Sequence, residues 1–399
     1  MRPFDGKRIL LGVTGGIASY KSAQLARLLT QAGAEVDVVL TRSAKEFIGT
    51  VTFEALTGRP VHHVLIGDGH ALDHIRLARE AQLVIVAPAT ADFLARAAHG
   101  HADELLSATL LATEAPVLLA PAMNDRMWAN PQVQANVAAL KAQGRAIVEP
   151  AVGPLASPDE GTGQGRMQEP EAIVAHAARA LELRGRLADR TVVVTAGPTR
   201  EALDPVRFLS NQSTGKMGVA LAEAAWRRGA SVVLIHGPLT VPLPTGVEAR
   251  GVESTEEMAD AVGKAIAKAD LLVMAAAPAD FRPAAVAGSK IKKGKRPAAL
   301  ALKETPDILA TTKGKRKKGL IAVGFALETD DLLENAKAKL AAKGLHLIVA
   351  NSAREAGAGF GYDTNRVTLV SAKGDVVELP LAPKREVADA ILDRVEALL

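Results

Sequence analysis

The 399-residue sequence contains no cysteine, and aromatic residues make up only 3% of it. The absence of cysteine excludes disulfides, thiolate metal ligands and a cysteine nucleophile. Because aromatic residues are scarce, Ala, Leu and Val must fill the cores. No apolar run approaches the roughly 20 residues that cross a bilayer, and residues 1–5 lack the charged and apolar regions of a signal peptide. We therefore expect a cytoplasmic protein without a membrane partner.

Positive charge is concentrated in one part of the chain, although the net charge is only +4. It is densest in residues 290–318, which contain two clusters rich in lysine and arginine. Such clusters can attract a nucleic acid backbone. However, no aromatic residue lies between Phe281 and Phe325 to stack on bases. We expect no nucleic acid partner, and for residues 313–318 the favoured interpretation is a solvated loop.

The chain length suits two domains of about 200 residues, each with its own core. Strand-length apolar runs alternate with helical patterns in both halves, which predicts α/β folds with buried parallel sheets. Residues 185–190 are polar and lack an apolar period, so the predicted domains are residues 1–188 and 189–399. Each is expected to contain a Rossmann-like sheet, and the second a terminal hairpin of residues 366–370 and 375–379.

The apolar pattern also gives the expected elements of both domains. Strands are predicted at residues 8–13, 36–40, 83–87 and 117–120, and then at 191–195, 231–235, 270–276, 320–325 and 346–350. Helices are predicted at residues 17–31, 171–184, 255–268 and 331–343.

Four short segments of the first half come at predicted strand ends. They are Thr14-Gly15-Gly16-Ile17-Ala18, Leu40-Thr41-Arg42-Ser43, Ala87-Pro88-Ala89-Thr90-Ala91 and Pro121-Ala122-Met123-Asn124. The carboxyl ends of parallel strands meet at one edge, so hydroxyls, amides and backbone donors converge there on a ligand crevice. The glycine turn can bind phosphate at a helix start. A simple tight turn is the alternative, because this is not a G-x-G-x-x-G fingerprint.

Three of these segments, together with Leu72-Asp73-His74-Ile75, occur in the order seen in flavin-containing cysteine decarboxylases, which the first half resembles. The resemblance implies a bound FMN, with Gly15, Ser19, Thr41 and Thr90 near its phosphate or ring. It assigns His74 as the base at the substrate cysteine and Asn124 as the holder of its carboxylate. Spacing alone does not distinguish His74 from the other histidines of the region, which are His62, His63, His70, His99 and His101.

The family's chemistry also matches these residue types. FMN oxidises the substrate thiol to a thioaldehyde, after which CO₂ leaves easily. A neutral imidazole near pH 7 takes the proton that leaves with the hydride.

One residue of the family's pattern, a cysteine, is absent from this chain. The family closes its site with a flap that ends in Gly-Arg-Met and carries a proton-donating Cys, whereas residues 155–167 contain none. A positioned general acid contributes roughly 10²- to 10⁴-fold, or about 3 to 5 kcal/mol of barrier. Ser157 is a poor acid at neutral pH, so we hypothesise that water replaces the Cys, or that Asp159 or Glu160 does so with a pKa raised by burial. There are two alternatives for the function of the chain. Its ligase is active while its decarboxylase is impaired, or the chain is a flavoprotein that acts as a regulatory binding module.

The second half contains Ala196-Gly197-Pro198-Thr199-Arg200-Glu201, Asp204-Pro205-Val206-Arg207 and Ser210-Asn211-Gln212-Ser213-Thr214-Gly215-Lys216-Met217-Gly218. The last is not a Walker A motif, because Ser210 replaces the first Gly and Met217 the Ser or Thr that holds magnesium. Together these segments resemble phosphopantothenate-cysteine ligase. Further matches are Ala276–Asp280, Lys290–Lys293, Thr305–Leu309 and Gly324–Thr329. With the first half, the resemblance covers nearly the whole chain and is to bifunctional bacterial-type enzymes of coenzyme A biosynthesis.

The ligase resemblance implies that the carboxylate of 4'-phosphopantothenate attacks the α-phosphate of CTP to give an acyl-cytidylate and pyrophosphate. The amine of cysteine then displaces CMP. Asn211 grips this intermediate, Lys290 offsets phosphate charge, and Asp280 binds nucleotide and Mg²⁺. The rest of the implied CTP pocket is Pro306, Asp307, Ile308, Leu309, Phe325, Lys339 and Lys343. The preference for CTP over ATP rests on the resemblance alone.

Two further expectations concern geometry and assembly. Lys339 and Lys343 are spaced i, i+4 and therefore share one helix face, where they can meet a triphosphate together. Gly288 and Gly294 flank Lys290, and this pattern favours a mobile lid over the triphosphate. The resemblance also implies a homo-oligomer, for example a dodecamer, with FMN between neighbouring front domains.

Overall fold

The computed structural model describes residues 3–67, 70–183, 185–292, 299–328, 332–352, 355 and 357–399. The chain forms two compact units, Met1–Leu183 and Arg184–Leu399, called here the front and back domains. Several residues named above lie outside the described ranges: Lys293, Gly294, Thr329 and the first residue of the helix predicted at 331–343. None of the helices in the described ranges has the length and apolarity needed to cross a membrane.

The front domain contains a six-stranded parallel sheet in the order β3-β2-β1-β4-β5-β6, and a separate antiparallel hairpin of β7 and β8. The strands are β1 (Arg8–Val13), β2 (Glu35–Leu40), β3 (Val61–His62), β4 (Leu83–Ala89), β5 (Val117–Pro121), β6 (Ala146–Ile147), β7 (Ala151–Pro154) and β8 (Thr162–Arg166). The helices are α1 (Ser19–Gln31), α2 (Thr50–Thr57), α3 (Asp73–Glu80), α4 (Ala91–His99), α5 (Leu105–Ala112), α6 (Asp125–Trp128), α7 (Pro131–Ala142) and α8 (Pro170–Glu182). The strand order reverses at β1 and β4, where a crevice is expected.

Both faces of this sheet are covered by apolar side chains. Successive residues of a strand point to opposite faces, and accordingly Leu11 packs in one buried cluster and Leu10 in another. The first cluster includes Leu25 of α1 and Ile173 of α8, and the second includes Val137 of α7. Burial on two faces explains why the strands read as continuous apolar runs.

The back domain is built around an eight-stranded sheet in the order β13-β12-β9-β14-β17-β18-β20-β21. Its strands are β9 (Thr191–Ala196), β10 (Arg200–Ala202), β11 (Phe208–Ser210), β12 (Ser231–His236), β13 (Glu248–Gly251), β14 (Leu271–Met274), β15 (Phe281–Pro283), β16 (Leu302–Glu304), β17 (Ile321–Glu328), β18 (Leu347–Ser352), β19 (Thr364–Asn365), β20 (Thr368–Ser371), β21 (Val376–Glu378) and β22 (Ala382–Pro383). Its helices are α9 (Lys216–Arg227), α10 (Thr255–Ala265), α11 (Ile308–Thr312), α12 (Leu332–Lys343) and α13 (Lys384–Glu396). Three antiparallel pairs, β10 with β11, β15 with β16 and β19 with β22, lie outside this sheet.

The predicted α/β class is confirmed, with one refinement in the back domain. The six neighbouring strands β13, β12, β9, β14, β17 and β18 are parallel to one another. By contrast, β20 pairs antiparallel with β18, and β21 pairs antiparallel with β20. The predicted terminal hairpin therefore extends the main sheet and makes it mixed. The strand predicted at residues 270–276 ends at Met274, so Ala276 and the following residues leave the sheet and border a cavity.

Candidate active sites

The loops that follow β1, β4 and β5 border one cavity of about 520 Å³ in the front domain. Gly15, Thr90 and Asn124 line it, one from each loop. The three strands are parallel neighbours, so their carboxyl ends bring these loops to the same edge. The structure therefore brings two residues predicted for the flavin, Gly15 and Thr90, together with Asn124, which is predicted for the substrate carboxylate.

Hydrogen bonds connect the loop after β1 to the loop after β4. The hydroxyl of Thr14 donates to the Pro88 carbonyl at 2.8 Å and accepts from the Thr90 amide at 3.1 Å. The Thr90 hydroxyl in turn accepts from the Phe93 amide at 3.3 Å and caps the start of α4. These bonds hold Gly15 and Thr90 on the same side of the crevice.

The turn before α1 is close-packed at Gly15 and open at Gly16. A Cβ at Gly15 would lie 2.4 Å from the Ser43 Cβ, whereas a Cβ at Gly16 would have only the Thr90 Cγ2 near it, at 3.9 Å. Within the described structure, α1 begins without a capping side chain or an acidic residue in its first turn. A helix start of this kind suits an anionic group.

Ser19 and Thr41 lie outside the lining of this cavity. Ser19 is fully buried, and its hydroxyl donates to the Gly16 carbonyl at 2.6 Å. Thr41 is also buried, and its hydroxyl accepts from the Ala44 amide at 3.2 Å. Both side chains shape the loops that border the crevice, and their contact with FMN stays a prediction.

His74 lies near the start of α3 and is also outside the cavity lining. Its Nδ1 atom is buried and has no hydrogen-bond partner among the described residues. The neighbouring Asp73 accepts from His70 at 2.7 Å and from Arg76 at 3.2 Å. Burial acts to raise the pKa of Asp73, but these two bonds outweigh it and the pKa lies below its usual range. The role of His74 as a base stays a prediction.

Strand β8 and the turn that joins it to β7 form a flap, defined here as residues 155–166. Flap strand β8 packs directly on the loop that carries Asn124. The Met123 amide donates to the Gly165 carbonyl at 2.9 Å, and a Cβ at Gly165 would lie 2.1 Å from the Met123 carbonyl oxygen. Residues of the flap that line the cavity are Leu155, Ala156, Glu160, Gly165 and Arg166.

At the tip of the flap, Asn124 contacts Glu160. The Asn124 Oδ1 accepts from the Arg126 amide at 2.9 Å, and Nδ2 donates to Glu160 Oε1 at 2.8 Å. The bond from Asn124 is the main cause that holds the pKa of Glu160 below its usual range, and Glu160 is exposed. The hypothesis that burial raises the pKa of Glu160 is therefore wrong, because the carboxylate is solvated and stabilised as an anion.

Lys21 is a residue to which sequence reasoning gave no role. It is buried, lines the cavity, and donates to the Met167 carbonyl at 3.0 Å and to Glu169 Oε1 at 2.9 Å. Arg166 donates to the same oxygen at 2.9 Å. These two cations keep the pKa of Glu169 low, with Lys21 as the larger cause. The one sequence signal that could have identified Lys21 is its position shortly after the glycine turn of residues 14–18.

In the back domain, the loop after β14 and strand β17 border a cavity of about 390 Å³. Every residue predicted for the CTP pocket lines it: Asp280, Pro306, Asp307, Ile308, Leu309, Phe325, Lys339 and Lys343. Strands β14 and β17 are parallel neighbours, with Met274 opposite Gly324. The carboxyl ends of these strands therefore deliver Phe325 and the loop of Asp280 to one edge of the sheet.

Asp307 organises one wall of this cavity. Its Oδ1 accepts from the Ala310 amide at 3.0 Å, which caps α11, and its Oδ2 lies 3.1 Å from Lys343 Nζ. Burial acts to raise the pKa of Asp307, but the Ala310 amide and Lys343 outweigh it and lower the pKa.

Glu304, which sequence reasoning missed, also lines the cavity. In the described ranges, no group of three or more His, Cys, Asp or Glu residues is placed to hold a metal ion by itself.

A second cavity, of about 320 Å³, adjoins the first and includes Asn211. The two share four lining residues, which are Ala276, Pro278, Asp280 and Phe325. Asn211 Nδ2 donates to the carbonyls of Ala277 and Pro278, at 3.0 Å each. Asn211 therefore lies where the two cavities meet.

Two lysines hold the glycine-rich loop of residues 357–363 beside this second cavity. Lys216 donates to the Gly361 carbonyl at 3.1 Å and to Asp363 at 2.6 Å. Lys384 donates to the carbonyls of Gly359 and Tyr362, at 2.9 and 2.6 Å. Burial, together with the charge of Lys216, lowers the pKa of Lys384 to about 8.

Lys290 is exposed and lines neither cavity of the back domain. The next residue, Ile291, donates its amide to Asp204 Oδ2 at 3.0 Å, and its carbonyl accepts from Arg207 at 2.8 Å. The Asp204 side chain is buried, and its bond with Arg207 lowers its pKa. The segment of Lys290 is thus tethered to the Asp204-Pro205-Val206-Arg207 motif.

Comparison with family models gives a match for each domain. Residues 2–182 match the family described as Flavoprotein. Residues 187–399 match the family described as DNA/pantothenate metabolism flavoprotein, C-terminal domain. The two matches together cover both compact units.

Relatives of known identity match the chain from end to end. The coenzyme A biosynthesis bifunctional protein CoaBC of Vibrio vulnificus is 42% identical over 403 residues, covering 100% of both chains. The Bacillus subtilis CoaBC is 46% identical over 399 residues, covering 99% of this chain and 98% of its own. Among solved structures, the C-terminal domain of a CoaBC protein is 39% identical over 54% of this chain and 97% of that one, with a TM-score of 0.46.

The fold, the family models and the full-length relatives define a two-domain α/β enzyme whose front domain is of the flavoprotein family. The chain belongs to the family of bifunctional coenzyme A biosynthesis proteins. It is an enzyme that combines a phosphopantothenate-cysteine ligase with an FMN-dependent decarboxylase of the ligation product.

Proposed function

We propose that residues 189–399 join 4'-phosphopantothenate to cysteine at the expense of CTP, and that residues 1–188 decarboxylate the product to 4'-phosphopantetheine with FMN. One observation carries the ligase assignment. Asp280 and the seven residues assigned to the rest of the CTP pocket line one cavity, and that cavity adjoins the one that contains Asn211.

The ligase site has a cationic and an acidic wall. Lys339 and Lys343 of α12 meet the triphosphate from one side. Lys290 offsets the negative charge of the same phosphates when the segment that carries it approaches the cavity. Mg²⁺ prefers carboxylate and phosphate oxygens and keeps several waters. Asp280 with the phosphates suits such an ion without a cage made of protein alone. At the junction of the cavities, the Asn211 amide binds the acyl-cytidylate while the amine of cysteine displaces CMP.

Release of CMP tests the ligase assignment. With 4'-phosphopantothenate, cysteine, Mg²⁺ and CTP, the purified protein should release CMP, and ATP in place of CTP should release less AMP. Lys339→Met should raise the KM for CTP, because one cation at the triphosphate is lost. An equal KM in Lys339→Met and the unmodified protein would remove Lys339 from the nucleotide site.

The decarboxylase site has the features that a flavin phosphate needs. The glycine turn before α1 presents an uncapped helix start to the cavity, and anions bind at such starts. When bound, FMN accepts the two electrons of thiol oxidation. Asn124 orients the substrate carboxylate through its amide, and His74 takes the proton released from the thiol. Since Glu160 is held as an anion, water or Asp159 donates the proton in place of the missing Cys.

Decarboxylation is tested separately from ligation. Protein loaded with FMN should show flavin absorbance and release CO₂ from phosphopantothenoylcysteine. Asn124→Asp, which keeps the shape and adds a negative charge, should weaken substrate binding by repulsion. If the flavin binds but no CO₂ forms while CMP is released, the impaired-decarboxylase alternative is correct. If the flavin-loaded protein is inactive in both assays, the result would support the alternative that the chain is a flavoprotein acting as a regulatory binding module.

We further propose that the chain works as a homo-oligomer, for example a dodecamer. The supporting observation is that His74, the assigned base, does not line the cavity of its own domain, so a neighbouring front domain can supply it. Light scattering should give a mass several times that of the 41.6 kDa chain. A monomer that is fully active would contradict this proposal.

A further inference from the structure

Side chains hold the flap at both of its ends. At the base, Lys21 and Arg166 donate to the same oxygen of Glu169, at 2.9 Å each. At the tip, Asn124 Nδ2 donates to Glu160 Oε1 at 2.8 Å. The Ser157 amide donates to the other oxygen of Glu160 at 3.1 Å. Both carboxylate oxygens at the tip are therefore engaged, one by the flap itself and one by the cavity wall.

The Asn124 amide has a fixed orientation. Its Oδ1 accepts from the Arg126 amide at 2.9 Å, so Nδ2 is the atom that faces the flap. The proposed function assigns this amide to the carboxylate of the substrate. Glu160 presents the same chemical group, and its pKa lies below the usual range, so it is an anion at neutral pH. A carboxylate of the chain thus occupies the donor intended for a carboxylate of the substrate.

We propose that Glu160 is a specificity-determining residue of the decarboxylase: its carboxylate occupies the Asn124 amide in the free enzyme, and the substrate carboxylate must displace it. This proposal rests on the proposed function of Asn124. The substrate opens the contact because it carries the competing group. The product has lost that group as CO₂ and leaves the contact closed. Glu160 therefore distinguishes the carboxylated substrate from the decarboxylated product.

The test compares the affinities of substrate and product for the full-length, FMN-loaded protein. Binding of phosphopantothenoylcysteine and of 4'-phosphopantetheine is measured by calorimetry for the unmodified protein, Glu160→Ala and Glu160→Gln. Glu160→Ala removes the competitor, and we expect the substrate Kd to fall roughly 2- to 5-fold, the range for an exposed charged contact. Product affinity should not change. Glu160→Gln keeps a neutral acceptor and should give an intermediate substrate Kd.

A matched control is Glu114→Ala, which removes an exposed carboxylate away from the cavity. It should leave both affinities unchanged. Three results would overturn the proposal. The first is an unchanged substrate Kd in Glu160→Ala. The second is an equal change in Kd for substrate and product, which indicates a purely structural role. The third is a collapse of kcat with an unchanged substrate Kd, which indicates that Glu160 is a proton donor.

Failure of the proposed function is recognised by a different result. Unmodified protein that binds FMN but releases no CO₂ refutes the decarboxylase assignment, whereas the binding comparison still decides whether Glu160 competes with a carboxylate. If Asn124→Asp leaves the substrate Kd unchanged, Asn124 does not hold the carboxylate, and the role of Glu160 fails with it.

Discussion

Glycine acts in this chain through the close approach of neighbouring backbones as well as through conformational freedom. At Gly15 the backbone conformation is one that any residue can adopt, but the loop after β2 leaves no room for a Cβ. Overpacking of this kind typically costs about 1 to 3 kcal/mol. The turn that precedes α1 therefore depends on glycine at one position and merely tolerates it at the next.

This difference gives a prediction for a pair of variants. Gly15→Ala should lower the free energy of unfolding of the apoprotein by about 1 to 3 kcal/mol, because its Cβ meets Ser43. Gly16→Ala should not, since its nearest neighbour is the Thr90 Cγ2 at 3.9 Å. Urea unfolding followed by circular dichroism measures both. Equal losses in the two variants would show that crowding by Ser43 is not the cause.

A second residue-scale prediction concerns pH and Lys384. Its pKa is about 8 in the folded protein, against 10.5 ordinarily, because burial and Lys216 outweigh the attraction of Asp363. Between these two values the unfolded chain binds more protons than the folded one, so the contribution of Lys384 to stability rises as pH increases through this window. Below pH 8 the lysine is charged in both states and the full cost of its burial remains.

Lys384→Met should abolish this rise. The measurement is the free energy of unfolding at pH 7 and pH 9.5 for the variant, the unmodified protein and Lys373→Met, an exposed lysine in the β20–β21 turn. The unmodified protein and Lys373→Met should gain more stability between the two pH values than Lys384→Met does. Equal gains in all three would mean that the pKa of Lys384 is not lowered.

The resemblance to the ligase family, not local spacing, assigned the residues that line the nucleotide cavity; spacing by itself indicates only that Lys339 and Lys343 share one helix face. It did not identify the contact of Asn124 with Glu160, which lie 36 residues apart. Nothing in local spacing indicates that a flap residue occupies the amide of a strand-end loop. The burial of Lys21 was hidden for the same reason, since Met167 and Glu169 are distant in sequence.

At the scale of elements, the long apolar runs were predictable and their pairing direction was not. Strands β1, β4, β9 and β12 begin where the pattern predicts, because they are buried on both faces. The antiparallel pairing of β18 with β20 was not predicted, since an apolar run carries no information on direction. Helix α2 was also missed. Its Thr50, Val51 and Thr52 favour strands, and its clearest helix signal is Gly58, which ends it with a φ of 68°.

Helix packing in the back domain gives an element-scale prediction. Gly218 lies in α9, and a Cβ there would be 2.5 Å from the Ala196 Cβ of β9 and 2.7 Å from the Thr195 carbonyl oxygen. Gly218→Ala must push α9 off the sheet and should destabilise the domain by about 1 to 3 kcal/mol. Gly263 in α10 has only the end of Lys315 nearby, at 3.9 Å.

Gly263→Ala is therefore the matched control, because alanine is the better helix former. It should stabilise the domain by roughly 0.5 to 1 kcal/mol. Both variants are compared by chemical denaturation followed by tryptophan fluorescence, since Trp226 lies in α9. A Gly218→Ala protein as stable as the unmodified one would contradict the close packing of α9 on β9.

At the scale of the whole molecule, the chain consists of two compact units, each with its own sheet and cavity. The family models also match the two parts separately, at residues 2–182 and 187–399. Each unit is large enough to bury a core of its own. The two activities should therefore be separable.

Separate expression of residues 1–186 and 187–399 tests this separation. The first fragment should bind FMN and release CO₂ from phosphopantothenoylcysteine, and the second should release CMP from CTP with the ligase substrates. Each should unfold cooperatively by itself. Ligase activity found only in the intact chain would contradict independent domains.

The central claim is that one chain carries both reactions although its flap has no cysteine. The most direct measurement is the stoichiometry of CMP and CO₂ when intact, FMN-loaded protein is given 4'-phosphopantothenate, cysteine, CTP and Mg²⁺. The account predicts one CO₂ for each CMP, with 4'-phosphopantetheine as the product. Release of CMP with accumulation of phosphopantothenoylcysteine and no CO₂ would contradict it.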